Sequence, residues 1–458
     1  MIAVDDLQRP TGPRSDASPS TLHKLVTALE VCPEEGVGLA TSLADLGRVV
    51  WGNAVVPSDA ACVAHLHPPT LVASVVTELS IAALNQSMDS WDQAPAATEV
   101  ELHLMGWLAG LMGMSSNATG IMTSGGTASN VLGLTLARSW AAHGLGIDVL
   151  KSGLPAESAS WRILCSDQAH FSVQRGAAQL GLGRDAVIAV PSTTAGVMDL
   201  GALDRALDEL TRSGLRAMAL VATAGTTDLG AIDPLEEIGQ RARRHNAWFH
   251  VDAAVAGAYL LSDTLVHQLS GIGDADSVTV DFHKLWWQPF NASALIVRDH
   301  EHFNLLRVKS NYLDRGDELE GMVNLVGRSL DTSRRFDAAK VFASLRAVGR
   351  RELGTMLEHL VSLAHYAGTR LSKNPRFEVV TPPTSVMCVF RAPGFDAQGL
   401  RAVQQGLLAR GEMILGRTEI KGASALKFTF MNPLTTPGDV DRLISLIESE
   451  FERIVASS

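Results

Sequence analysis

Cysteine is scarce in this chain. Four occur in 458 residues (Cys32, Cys62, Cys165 and Cys388), with no Cys-x-x-Cys pair. That spacing argues against a disulfide framework and a cysteine zinc site, and a reducing cytoplasm is the expected location. Aromatic residues make up only 5% of the chain. The longest apolar-looking stretch, Leu71–Leu84, contains Glu78 and is too short to span a bilayer. Met1–Ser20 is polar and rich in Asp, Pro and Ser, without the apolar core of a signal peptide. No Lys/Arg-rich run appears and the net charge is −11, so nucleic acid is not an expected partner. There is no internal repeat and no low-complexity tract.

What is present is an ordered globular composition, 46% hydrophobic and 19% charged. Residues 1–64 read as a tail followed by helices. From about Ile121 the texture changes to short β-branched runs alternating with helical ones. The predicted strands are Trp161–Cys165, Ala186–Val190, Ala217–Ala222, Trp248–Val251, Ser277–Val280 and Ala294–Val297. The predicted helices between them are Ser129–His143, Phe171–Leu180, Leu200–Ser213 and Pro234–His245. Such alternation implies an α/β domain with a mostly parallel sheet, spanning residues 65–335. Ala294–Val297 follows its predecessor too closely for a helical crossover, so antiparallel pairing is expected. A long helical segment, Phe336–Leu371, opens a smaller α+β domain at 336–458, with strands at Phe377–Thr381, Val386–Phe390, Glu412–Leu415 and Ala425–Phe430 and a final helix over Pro437–Val455.

Two strands end in chemistry. Ser277–Val280 runs into Asp281-Phe282-His283-Lys284, and Trp248–Val251 into Asp252-Ala253-Ala254. A lysine after an apolar run is unusual, because buried lysine needs a partner, and burial makes its amine a usable nucleophile. An amine and an enclosed carboxylate are the minimum kit for a Schiff-base cofactor with a protonated pyridinium, pyridoxal phosphate (PLP). The plainer roles are a solvated lysine and an Asp that caps a helix. Thr123-Ser124-Gly125-Gly126-Thr127-Ala128 precedes a helix and is either an anion cradle or a capped turn. His170 follows a strand end, where open α/β sheets bind ligands, and an imidazole there can stack on a ring. A capping or core role is the alternative. Gly225-Thr226-Thr227 also follows a strand. Tyr312, one of three tyrosines, sits in a polar stretch that reads as a loop and is a candidate proton donor. His65 and His67 lack carboxylate or Cys partners at ligand spacing, so no metal is expected. Asp89 and Asp92 read first as solvated surface groups, second as counter-charges for a cationic side chain.

The order Ser-Gly-Gly-Thr, Asp-Gln-Ala-His, Gly-Thr-Thr, His-Val-Asp-Ala-Ala, Asp-Phe-His-Lys resembles the group II PLP-dependent amino-acid decarboxylases. Asn85–Pro95 and Leu330–Phe336 look closest to their diaminobutyrate and siderophore-pathway lysine decarboxylase branch. The resemblance implies the PLP-dependent transferase-like fold of the aspartate aminotransferase type. By the same resemblance Lys284 carries PLP, Asp252 holds its pyridine nitrogen protonated and His170 stacks on the ring. Gly126, Thr127 and His283 would contact the phosphate, Thr227 the ring substituents and Ala254 the ring. Tyr312 would reprotonate the α-carbon across a homodimer interface. The implied reaction is decarboxylation of an L-amino acid, favouring 2,4-diaminobutyrate, ornithine or lysine. Glutamate, aspartate, aromatic or aliphatic substrates, a PLP lyase or aldehyde-forming enzyme, and a dead scaffold are the alternatives. Val255 and Leu285-Trp286-Trp287-Gln288-Pro289-Phe290-Asn291 depart from the branch pattern beside the cofactor and bear on substrate choice, with Trp91, Val255 and Trp286 the expected narrowing residues.

Overall fold

A computed structural model describes residues 10–308, 313 and 321–457. Two compact units emerge. One runs Thr70–Glu358, and the other combines the chain up to Pro69 with the chain from His359. In chain order the strands are β1 (Cys62–Val63), β2 (Thr119–Thr123), β3 (Trp161–Ser166), β4 (Val187–Val190), β5 (Arg216–Thr223), β6 (Trp248–Asp252), β7 (Ser277–Asp281), β8 (Ser293–Val297), β9 (Glu378–Val379), β10 (Met387–Arg391), β11 (Ile414–Ile420) and β12 (Ala423–Thr429).

The larger unit holds a seven-stranded sheet, ordered β2-β8-β7-β6-β5-β3-β4. Strands β3 to β7 pair in parallel, and β8 is antiparallel to both β7 and β2. Every residue of β6, β7 and β8 is buried, as expected for strands covered on both faces. The short connection before β8 does force antiparallel pairing, as the sequence implies. Strand β2 was not anticipated; its Gly120 lies against Leu295 and Ile296, where a Cβ would approach within 2.6 Å of the Leu295 carbonyl oxygen. Polar groups gather where the strands end: Asp252 on β6, Asp281 on β7 and Thr223 on β5. Loop geometry and register bring these ends to one edge, the usual ligand-binding edge of an open α/β sheet.

The smaller unit has a five-stranded sheet, β1-β11-β12-β10-β9, in which β1 pairs in parallel with β11. The predicted helix over Phe336–Leu371 is instead two helices, Ala338–Val348 and Arg350–Ser372. The break falls at Gly349, whose φ of 83° is outside the helical region and suits glycine. No helix among the described residues is long and apolar enough to cross a membrane.

A buried ion pair anchors the segment that follows the undescribed residues. Glu101, on the helix Pro95–Leu111, is fully enclosed. It accepts from Arg334 Nη1 at 2.9 Å and from the backbone N–H of Met122 at 2.9 Å, while Arg334 also donates to the Met122 carbonyl. Helix, strand β2 and the 329–337 segment are thereby tied at one point. Removing one member strands a charge in the interior. Arg334→Met should therefore lower the unfolding free energy by about 3–5 kcal/mol, read by chemical denaturation; a change near zero would show that Glu101 finds another partner.

Candidate active site

A cavity of about 590 Å³ opens at the carboxyl edge of the seven-stranded sheet. Its wall brings together Gly126, Thr127, His170, Thr227, Asp252, Ala254, His283 and Lys284, every expected catalytic or cofactor-binding residue except Tyr312. Tyr312 lies outside the described residues.

Lys284 follows β7 by one turn. Its Nζ stands 2.8 Å from Asp281 Oδ2, and Ser293 Oγ donates to Asp281 Oδ1 at 2.5 Å. The lysine is four-fifths buried, so the plain solvated-charge reading does not hold. Asp281 also sits under the glycine turn: a Cβ on Gly126 would come within 2.8 Å of its carboxylate. Only glycine admits that approach. No side chain caps the helix Gly126–His143. Its first N–H groups therefore face the cavity edge as anion donors rather than being satisfied by Ser or Thr. His283 packs its ring on Phe290 at 4.5 Å, and burial holds its imidazole below the ordinary range.

Asp252 is enclosed, as an electrostatic partner should be and a helix cap is not. Its Oδ1 accepts from the Ala254 N–H, and its Oδ2 accepts from Asn130 Nδ2 at 2.7 Å. Asn130 gives its other amide hydrogen to Ser172 Oγ at 2.9 Å. Its carbonyl oxygen must then accept, and His250 Nε2 lies 3.0 Å away. His250 therefore carries its proton on Nε2, and Nδ1 accepts from Ser277 Oγ at 2.8 Å. Ser277 in turn accepts from Trp248 Nε1. On the other side Ser172 Oγ, having accepted from Asn130, donates to His170 Nδ1 at 2.8 Å. Each donor has one acceptor in this chain, so the direction of every bond follows from the two amide hydrogens of Asn130. Burial holds His170 below the usual imidazole range and brings His250 down to about 4, leaving both rings neutral.

The Thr226–Thr227 turn is held by the N–H groups of Gly225 and Thr226 on the Ala231 carbonyl. Thr223, at the end of β5, lines the cavity, and its Oγ1 is buried with no hydrogen-bond partner among the described residues. Of the departures from the branch pattern, Val255, Phe290 and Asn291 reach the cavity wall. Trp286 does not; it packs edge-on against Phe282 and Trp107. Trp91 is likewise not part of the wall. Asp89 is buried rather than solvated, its carboxylate taken by the N–H of Ser90. Asp92 is exposed, and neither carboxylate lines the cavity. Among the described residues no cluster of metal ligands occurs. Asn130 and Asp281 lay inside the motifs but were given no role, because what they touch is up to 122 positions away.

Two outcomes test this network. Asn130→Asp keeps the volume but removes both amide donors beside Asp252, and should cost roughly 2–4 kcal/mol of stability by denaturant titration; an unchanged midpoint would mean the bonds rearrange. His250 binds its proton more readily unfolded than folded. Stability should therefore fall as the pH drops from about 6.5 towards about 4, and His250→Gln should remove that part of the slope.

A cavity with a lysine amine, an enclosed carboxylate and an uncapped helix start narrows the families to consider. The conserved-domain model of the pyridoxal-dependent decarboxylases matches residues 43–393. An L-2,4-diaminobutyrate decarboxylase of Rhizobium meliloti (strain 1021) is 38% identical, covering 97% of this chain and 89% of the relative. The enzyme of that name from Acinetobacter baumannii is 35% identical, covering 95% and 88%. A crystal structure of the glutamate decarboxylase domain of diaminobutyrate-pyruvate transaminase and L-2,4-diaminobutyrate decarboxylase from Vibrio parahaemolyticus superposes with a TM-score of 0.89. It is 38% identical and covers 97% of this chain and 91% of that one. The chain therefore belongs to the pyridoxal-dependent decarboxylase family and is a PLP-dependent amino-acid decarboxylase.

Proposed function

We propose that this enzyme removes the α-carboxylate of a small diamino acid, 2,4-diaminobutyrate first among ornithine and lysine, to give the diamine and CO₂. The observation that carries the choice is the charge of the cavity wall. Among the described lining residues there are three carboxylates (Asp252, Asp281 and Asp331), one lysine and no arginine. A substrate with an acidic side chain would meet no spare cation there, since Lys284 is paired with Asp281. A second ammonium suits the wall. The names of the relatives at 35% and 38% identity point the same way.

The residues fit PLP. The uncapped helix start at Gly126 and Thr127, with His283 beside it, suits the phosphate. Lys284 is the amine for its carbonyl, and the unpaired Thr223 hydroxyl is a polar group awaiting a partner in the wall. When bound, PLP supplies the electron sink for the carbanion left by CO₂. Asp252, steered by Asn130, would be the carboxylate that pairs with the pyridinium. His170, neutral and fixed by Ser172, offers a flat face to a ring. Thr227 and Ala254 lie along the same wall. Tyr312 is the proposed donor of a proton to the α-carbon. The working form is proposed to be a homodimer. On the helix Val72–Leu84 the exposed Val72, Val75, Val76 and Leu79 recur at three- and four-residue spacing, an apolar stripe that a second copy would cover.

Purified holoenzyme supplied separately with 2,4-diaminobutyrate, ornithine, lysine, glutamate, aspartate and phenylalanine should release CO₂ and one diamine, identified by mass. Lys284→Ala should drop turnover by at least ~10³-fold. An amine from glutamate alone, or normal turnover by the lysine variant, would reject the assignment.

A further inference from the structure

A diamino acid brings a second positive charge into the site, and a charge leaving water needs a partner. The wall offers three carboxylates, and two are engaged. Asp252 accepts from Asn130 and from the Ala254 N–H. Asp281 holds Lys284 and Ser293. Asp331 is different. It is exposed at the wall, and among the described residues no cation lies within ion-pair distance of it. The three arginines nearest in sequence are already occupied: Arg328 with the Thr119 hydroxyl and the Phe303 ring, Arg334 with Glu101, Arg335 with Glu78 and Asp337. The loop that carries Asp331 is held in place, because its N–H donates to Ser329 Oγ at 3.0 Å and Arg334 anchors it three residues on. Asp331 also lines a second, adjoining cavity of about 200 Å³ with Ser333 and Asn291, so the carboxylate stands where the two spaces meet.

We propose that Asp331 receives the distal ammonium of the substrate and so selects diamino acids. This rests on the diamino-acid reading above. Before substrate binds, water screens the exposed carboxylate. Once substrate fills the cavity the charge-assisted bond strengthens as water leaves. The same charge repels glutamate and aspartate side chains, so one residue both attracts and excludes.

The experiment measures kcat/KM of PLP-loaded wild type, Asp331→Asn and Asp331→Ala for 2,4-diaminobutyrate and for 2-aminopentanoate, which has a neutral side chain of similar reach. The preference for the diamino acid should shrink by about tenfold or more in both variants, through KM rather than kcat. The absorbance band of bound PLP should persist. An equal fall on both substrates, an unchanged preference, or loss of the PLP band would overturn the role of Asp331 while leaving the proposed reaction standing. Wild-type enzyme that ignores every diamino acid would instead overturn the proposed reaction, and this role with it.

Discussion

The bond from Asn130 Nδ2 to Asp252 Oδ2 is the contact from which the site takes its order. A carboxylate that must hold one orientation in an enclosed place cannot rely on water, and a single amide supplies both its alignment and its link to the imidazole of His170. The asparagine can do this because it sits one turn into a helix whose start was left uncapped. The helix thus serves two places at once: its first residues line the cavity, and its buried Asn130 side chain steers a carboxylate. The buried ring of His250 closes the other end, its Nε2–H donating to the Asn130 carbonyl oxygen.

Asp281 illustrates a second economy. One carboxylate holds the lysine amine, sits under the glycine turn and takes the hydroxyl of Ser293 from the neighbouring antiparallel strand. A larger residue at Gly126 would disturb the amine through Asp281 without touching it. Through the acid placed three residues before the lysine, the glycine turn and the lysine amine are mechanically one object.

Much of this was readable from the residues. Apolar runs that end abruptly in Asp252 or Lys284 mark buried strands, and the plainer roles of cap and solvated charge give way to an enclosed Asp252 and a four-fifths-buried Lys284. The antiparallel β8 followed from a connection too short for a helix. Other features left no local trace. Strand β2 hides behind a glycine, and the break at Gly349 interrupts an otherwise continuous helical pattern with one residue. The Asn130–His250 contact joins positions 120 apart, and no periodicity reports on it. Trp286 looked like a pocket residue from its neighbourhood to Lys284, yet the turn after β7 sends it into the core beside Phe282. Position next to Lys284 in sequence is weak evidence of position next to it in space.

The parallel pairing of Cys62 and Val63 with Ile414 and Leu415 carries a consequence for synthesis. The smaller sheet is completed only by strands separated by some 350 residues, a closure with a high entropic cost and a high contact order. As the chain leaves the ribosome, the whole of Thr70–Glu358 is available to fold before the partner of β1 exists. The early segment must therefore wait, unpaired, through most of translation. That segment carries two of the chain's four cysteines, Cys32 and Cys62, and the exposed apolar side chains Val26, Val31, Val37 and Leu39, so the wait leaves reactive and sticky groups uncovered.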